Sequence, residues 1–83
     1  MSTEPEPVVV YGADWCPDVR RSRALLDAEG VAYRYVDVEA DPHAEALVRR
    51  LQDGERRIPT IVGHDGAHVV EPTDDALREW LAR

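Results

Sequence analysis

Hydrophobic and polar positions divide the chain into seven segments. Val8-Val9-Val10-Tyr11 is a continuous apolar run, the pattern of a strand buried on both faces. From Pro17 to about Glu29 the period becomes helical. Val19, Ser22 and Leu26 share a face with Leu25 beside it, Arg20, Arg21 and Arg23 fall towards the wetter side, and Gly30 suits the left-handed stop after the last turn. The stretch from Ala32 to Val38, rich in aromatic and branched residues, predicts a second strand. Asp41-Pro42 places an N-cap before a proline at the first helical position. Ala44, Leu47, Val48 and Leu51 then repeat at helical spacing until Asp53-Gly54. Thr60 to Gly63 and Ala67 to Val70 are short strands, and His64-Asp65-Gly66 between them carries the Asp-Gly hairpin signal. Thr73 is a good N-cap for a last helix with Asp74 and Asp75 in its first turn and Leu77, Trp80 and Leu81 on its apolar face.

The order is β-α-β-α-β-β-α. The first β-α-β unit predicts a right-handed crossover between parallel strands. The hairpin adds an antiparallel pair. The expected architecture is α/β, a four-stranded mixed sheet flanked by three helices.

Size and charge narrow the functions open to such a fold. Eighty-three residues make one small domain, expected over residues 8–83. Residues 1–7, acidic and proline-containing, lack the basic and apolar regions of a signal peptide and read as a disordered tail, so the protein is expected in the cytoplasm. No apolar run approaches a membrane span, so no membrane partner is expected. The formal net charge is −7 and every basic side chain other than histidine is an arginine, which argues against nucleic acid as a partner. One cysteine permits no intrachain disulfide. His64 and His68 flank the predicted hairpin turn, and two histidines alone make a poor metal site, so no metal is expected.

The candidate chemistry lies in Tyr11-Gly12-Ala13-Asp14-Trp15-Cys16-Pro17-Asp18-Val19-Arg20, where the first strand gives way to the first helix. Proline after Cys16 suits the first helical position and puts Cys16 at or beside the N-cap. A helix N-terminus favours an anion, and the thiolate is the nucleophilic form of cysteine. Nearby arginines act in the same direction, whereas Asp14 and Asp18 oppose it. Cys16 is therefore expected to be reactive and at least partly exposed. Ile58-Pro59 is a second marker, since it stands immediately before the third strand.

Cys16 after the first strand, Ile58-Pro59 before the third and Thr73-Asp74 opening the last helix together resemble the glutaredoxin branch of the thioredoxin fold. The resemblance runs from about Val8 to the end and is nearest to small bacterial glutaredoxin-like proteins and mycoredoxins. Trp15-Cys16-Pro17-Asp18, Asp37-Val38-Glu39, Arg56-Arg57-Ile58-Pro59-Thr60 and Glu71-Pro72-Thr73-Asp74 carry it. The resemblance implies that Cys16 is the catalytic nucleophile and that Pro59 is a cis-proline facing it. It implies that the Ile58 backbone pairs with a bound thiol tripeptide, that Thr73 and Asp74 hold its γ-glutamyl end, and that Arg56 or Arg57 contacts its other carboxylate.

The chain departs from that pattern at Val19, where dithiol relatives have a second cysteine, and at Ala13, where many have lysine. Cys16-Pro17-Asp18-Val19 also differs from the Cys-Gly-Phe-Ser of cluster-carrying monothiol relatives. The resulting expectation is a thiol–disulfide oxidoreductase using a monothiol mechanism. Glutathione or mycothiol would be co-substrate, no cofactor would be tightly bound, and a monomer would act on thiolated protein substrates. Two alternatives stay open at this point: an iron–sulfur cluster-binding or carrier protein, and a thioredoxin-fold domain that binds a thiol without catalysis.

Overall fold

The computed structural model describes residues 7–83. The rest of the predicted tail lies outside the described residues. The elements follow the predicted order: β1 (Val8–Gly12), α1 (Pro17–Ala28), β2 (Tyr33–Asp37), α2 (Pro42–Leu51), β3 (Thr60–Val62), β4 (His68–Val70) and α3 (Asp74–Ala82). They form one four-stranded sheet in the order β2-β1-β3-β4. β1 runs parallel to β2, from Val8 opposite Tyr33 to Gly12 opposite Asp37. β3 is antiparallel to both β1 and β4.

Local chemistry sets the ends of the helices. Pro17 opens α1. At its other end the Gly30 N–H donates to the Asp27 carbonyl at 3.1 Å and the Val31 N–H to the Leu26 carbonyl at 2.9 Å. This double closure needs a left-handed residue at the turn, and Gly30 supplies it with φ +69°. Asp41 Oδ1 accepts from the His43 and Ala44 N–H groups at 3.0 and 3.1 Å and starts α2. Thr73 Oγ1 accepts from the Ala76 N–H at 3.1 Å and starts α3. These caps are the predicted ones.

Every residue of β1 is buried, because helices cover both faces of the sheet. Val9 and Tyr11 pack in one cluster with Ala44 and Val48 of α2. Val8 and Val10 pack in another with Leu25 and Leu26 of α1 and Leu77 of α3. Cys16 and Val19, from the start of α1, belong to the first cluster, so this helix begins on one side of the sheet end and continues along the other. β2, β3 and β4 are shorter than their predicted stretches, whereas β1 runs one residue past Tyr11 to Gly12. Val38, predicted as the end of β2, lies in a turn, yet its N–H still reaches the Gly12 carbonyl at 2.9 Å and its side chain is buried.

Candidate active site

Cys16 is the N-cap of α1, with φ −78° and ψ 121°. A tight turn precedes it, closed by the Cys16 N–H donating to the Ala13 carbonyl at 3.1 Å. The side chain makes no capping hydrogen bond. Cys16 is only 8 % exposed, which corrects the expectation of a more open thiol. The cause is tertiary: the turn folds back at buried Ala13, and Val19 and Ile58 join Ala13 and Cys16 in one apolar cluster. Its exposure equals that of Val9 in β1 and exceeds that of Ala13 and Val19 in the same cluster, which are 0 % exposed.

Ile58 and Pro59 reach this place immediately before β3, the antiparallel neighbour of β1. The Ile58–Pro59 peptide bond is cis, as expected. Ile58 is buried in the Cys16 cluster and Pro59 is fully buried. Gln52, just past α2, holds the approach to them. Its Oε1 accepts from the Arg57 N–H at 3.0 Å, and its Nε2 donates to the Arg57 carbonyl at 3.1 Å and to Thr60 Oγ1 at 2.6 Å. The Glu71 N–H donates to the Pro59 carbonyl at 2.9 Å. That bond, with Thr60 opposite Val70, carries the chain from β4 to Thr73 at the same end of the sheet.

Two strings of polar side chains flank the cysteine. On one side the exposed Trp15, next to Cys16 in the chain, donates from Nε1 to Glu39 Oε1 at 2.9 Å. Arg56 Nη2 lies 3.7 Å from Glu39 Oε2, and Arg56 Nη1 lies 4.0 Å from Glu45 Oε2. On the other side Arg21 Nη1 donates to Asp18 Oδ1 at 3.0 Å, while Arg21 Nε lies 3.4 Å from Asp74 Oδ1. The contact with Asp74 is an ion pair without hydrogen-bond geometry, and Asp74 Oδ1 is enclosed with no hydrogen-bond partner among the described residues. Below the turn, Tyr35 donates its hydroxyl to Asp14 Oδ1 at 2.7 Å, and the Arg23 guanidinium lies 3.9 Å from the Tyr35 ring centroid. Burial, followed by the bond to Asp14, pushes the Tyr35 phenol above its ordinary value, so it stays a neutral donor.

Of the residues singled out in the sequence, Cys16, Ile58, Arg56 and Asp74 are linked to this end of the molecule by contacts, and Pro59 and Thr73 by the connections just described. Arg57 is different: its backbone is clamped, but its side chain is exposed, and among the described residues no ion pair holds its guanidinium. Sequence reasoning missed Arg21, Glu39, Glu45 and Gln52 as neighbours of the site. Only the spacing of Asp18 and Arg21 carried a local signal.

A cavity of about 320 Å3 lies elsewhere, lined by Val8, Gly63, Trp80 and Arg83 at the start of β1. Among the described residues no helix is long and apolar enough to cross a membrane.

Residues 8–69 match the family model of glutaredoxin. The chain is 38% identical over 65 residues to mycoredoxin 1 of Corynebacterium glutamicum, covering 78% of this chain and 80% of that one. Its fold is similar to the glutaredoxin of Archaeoglobus fulgidus, with a TM-score of 0.75 and 22% identity over 98% of this chain and 90% of that one. It is also similar to a buckwheat glutaredoxin–glutathione complex, with a TM-score of 0.69 and 20% identity over 92% and 68% of the two chains. A strand-to-helix turn ending in Cys16-Pro17, packed with the Ile58 that precedes a cis-proline, and a family model that matches residues 8–69 mean that this chain belongs to the glutaredoxin family of redox proteins.

Proposed function

We propose that this protein reduces mixed disulfides between proteins and a low-molecular-weight thiol by a monothiol mechanism through Cys16. One observation carries the reading. The only cysteine stands at the N-terminal end of α1, and the position one turn further on is a valine with 0 % exposure. No second protein thiol is present to resolve an intermediate.

The exchange balances without a cofactor. The Cys16 thiolate attacks the sulfur of the small thiol in the mixed disulfide, a Cys16–small-thiol disulfide forms, and the protein thiolate leaves and takes up a proton. A second small thiol, as its thiolate, then attacks the bound small-thiol sulfur. This releases Cys16 and the oxidised dimer of the small thiol. In net terms the mixed disulfide and one free small thiol give the protein thiol and the oxidised dimer, so the free thiol is the reductant and no other is needed.

Glutathione and mycothiol are the candidate co-substrates, and the buckwheat neighbour's glutathione complex supports a small thiol as partner. In this reading the Ile58 backbone, beside Pro59, pairs with the ligand in strand fashion. The start of α3 at Thr73 offers N–H groups to an acidic end, while Asp74 and Arg56 offer opposite charges. The protein acts in the cytoplasm as a monomer. Turnover of a small-thiol mixed disulfide by wild type, abolished in Cys16→Ser, is the expected result. Activity retained in Cys16→Ser would overturn the proposal.

A further inference from the structure

Tyr35 ties the turn that carries Cys16 to β2. Its hydroxyl donates to Asp14 Oδ1 at 2.7 Å, and Asp14 lies two residues before Cys16. Arg23, further along α1, backs this contact. Its guanidinium lies 3.9 Å from the Tyr35 ring centroid, its Nε donates to the Tyr33 hydroxyl at 3.1 Å, and its Nη1 stands 4.0 Å from Asp14 Oδ1. Tyr33 and Tyr35 alternate along β2 and so project from one face of the strand, where Arg23 spans both rings. The cluster joins β2, α1 and the turn between β1 and α1.

The carboxylate held in this way is a competitor of the thiol. The Cys16 side chain makes no capping hydrogen bond. The first N–H groups of α1 therefore receive no bond from it, and together with the helix dipole they favour whichever anion lies nearest. The chain offers two such anions just before the helix, the Cys16 thiolate and the Asp14 carboxylate. A carboxylate at that end would take up the positive potential and repel the thiolate. The other acids around the turn are occupied, Asp18 and Asp74 by Arg21 and Glu39 by Arg56. The Asp14 side chain is 78 % exposed, so packing does not restrain it. What fixes it is the Tyr35 hydroxyl with Arg23 behind it. Tyr35 suits that task, because burial and the bond to Asp14 keep its phenol protonated and the donor is not lost.

We propose that Tyr35 is a positioning residue for the thiol chemistry: with Arg23 behind it, its hydroxyl holds the Asp14 carboxylate away from Cys16 and leaves the positive end of α1 to the thiolate. The inference rests on the reading of Cys16 as the reacting thiol.

The test measures how fast Cys16, the only thiol in the chain, is alkylated by iodoacetamide, which is neutral, and by iodoacetate, which carries a negative charge. Loss of free thiol is followed for wild type, Tyr35→Phe and Tyr35→Phe/Asp14→Asn. Phenylalanine keeps the ring under Arg23 and removes only the donor. A looser turn, a loss of folded protein or a change in thiolate fraction alters both rates together. The iodoacetate-to-iodoacetamide ratio reads only the charge beside the sulfur. In Tyr35→Phe the ratio is expected to fall by roughly threefold, the effect of one unit charge on another at about 7 Å through water. It should return to the wild-type value or above in the double variant, and the fall should shrink as salt is raised. A ratio unchanged in Tyr35→Phe, or one that Asp14→Asn fails to restore, overturns the inference while Cys16 remains the reacting thiol. A folded wild type in which neither reagent modifies Cys16 overturns that underlying reading and the inference with it.

Discussion

A methyl group added at Gly12 should disturb both the fold and the thiol. Gly12 ends β1, and an ideal Cβ there would lie 2.7 Å from each of the two Val19 methyl carbons. Real Cβ contacts do not come that close, so something must move. Val19 is 0 % exposed and cannot swing away, because a branched side chain on a helix is nearly confined to one rotamer. Further along, α1 is held by Leu25 and Leu26 in the second core cluster. The movement open to it is a tilt of its first turn away from β1, which carries Cys16 away from Ile58.

Overpacking of this kind costs typically ~1–3 kcal/mol. Gly12→Ala should therefore lower the free energy of unfolding by about 2 kcal/mol in urea titrations followed by tryptophan fluorescence. It should also slow Cys16-dependent exchange. Val19→Ala alone loses two buried methyls and leaves a small void, a cost of roughly 2 kcal/mol. In the double variant the new methyl at position 12 occupies the space vacated at position 19. The double variant should thus be more stable than the two single losses predict by about 1 kcal/mol or more, and it should recover exchange rate. Strict additivity, or a Gly12→Ala protein as stable and active as wild type, would refute the close approach.

Three further outcomes follow from single features. Ser22 Oγ is buried without a hydrogen-bond partner among the described residues, so Ser22→Ala should raise the urea midpoint, by about 1 kcal/mol in stability; a lower midpoint would mean that the hydroxyl has a partner in solution. Asp65, bound by Arg83 and then by the Ala67 N–H, has its carboxyl lowered from 3.8 to about 2, so its contribution is present above its unfolded value and is lost as pH falls through 3.8 towards 2. Asp65→Asn should accordingly be less stable than wild type at neutral pH and converge with it near the lower value; a gap that persists in acid would refute the linkage. Val19→Cys places a thiol one turn from Cys16, so mass spectrometry after mild oxidation should find an internal disulfide in the variant and only mixed or intermolecular products, or sulfur oxyacids, in wild type.

What could be read in the chain was local. Asp41, Thr73 and Gly30 act on backbone groups a few residues away, so their roles follow from short-range chemistry, and the structure uses each in that way. β1 was legible because burial on both faces leaves no polar residue in it. The enclosure of Cys16 was not, since it depends on Ile58 arriving from a distant loop. The partners of Arg56 and Asp74 were hidden for the same reason. Arg21 reads as a surface residue, and Glu39 only as part of the run Asp37-Val38-Glu39, until the parallel crossover and the docking of α3 bring their partners alongside.

Val19 explains why a single thiol belongs in this site. A residue one turn beyond Cys16 is geometrically able to resolve a disulfide, yet here that position wedges α1 against Gly12 and is closed to solvent. Packing has taken the place of chemistry at position 19. Under the proposed mechanism the Cys16–small-thiol disulfide then persists until a second small thiol approaches in line with the bond. The rate of that step depends on the concentration of the small thiol and on access to a residue only 8 % exposed.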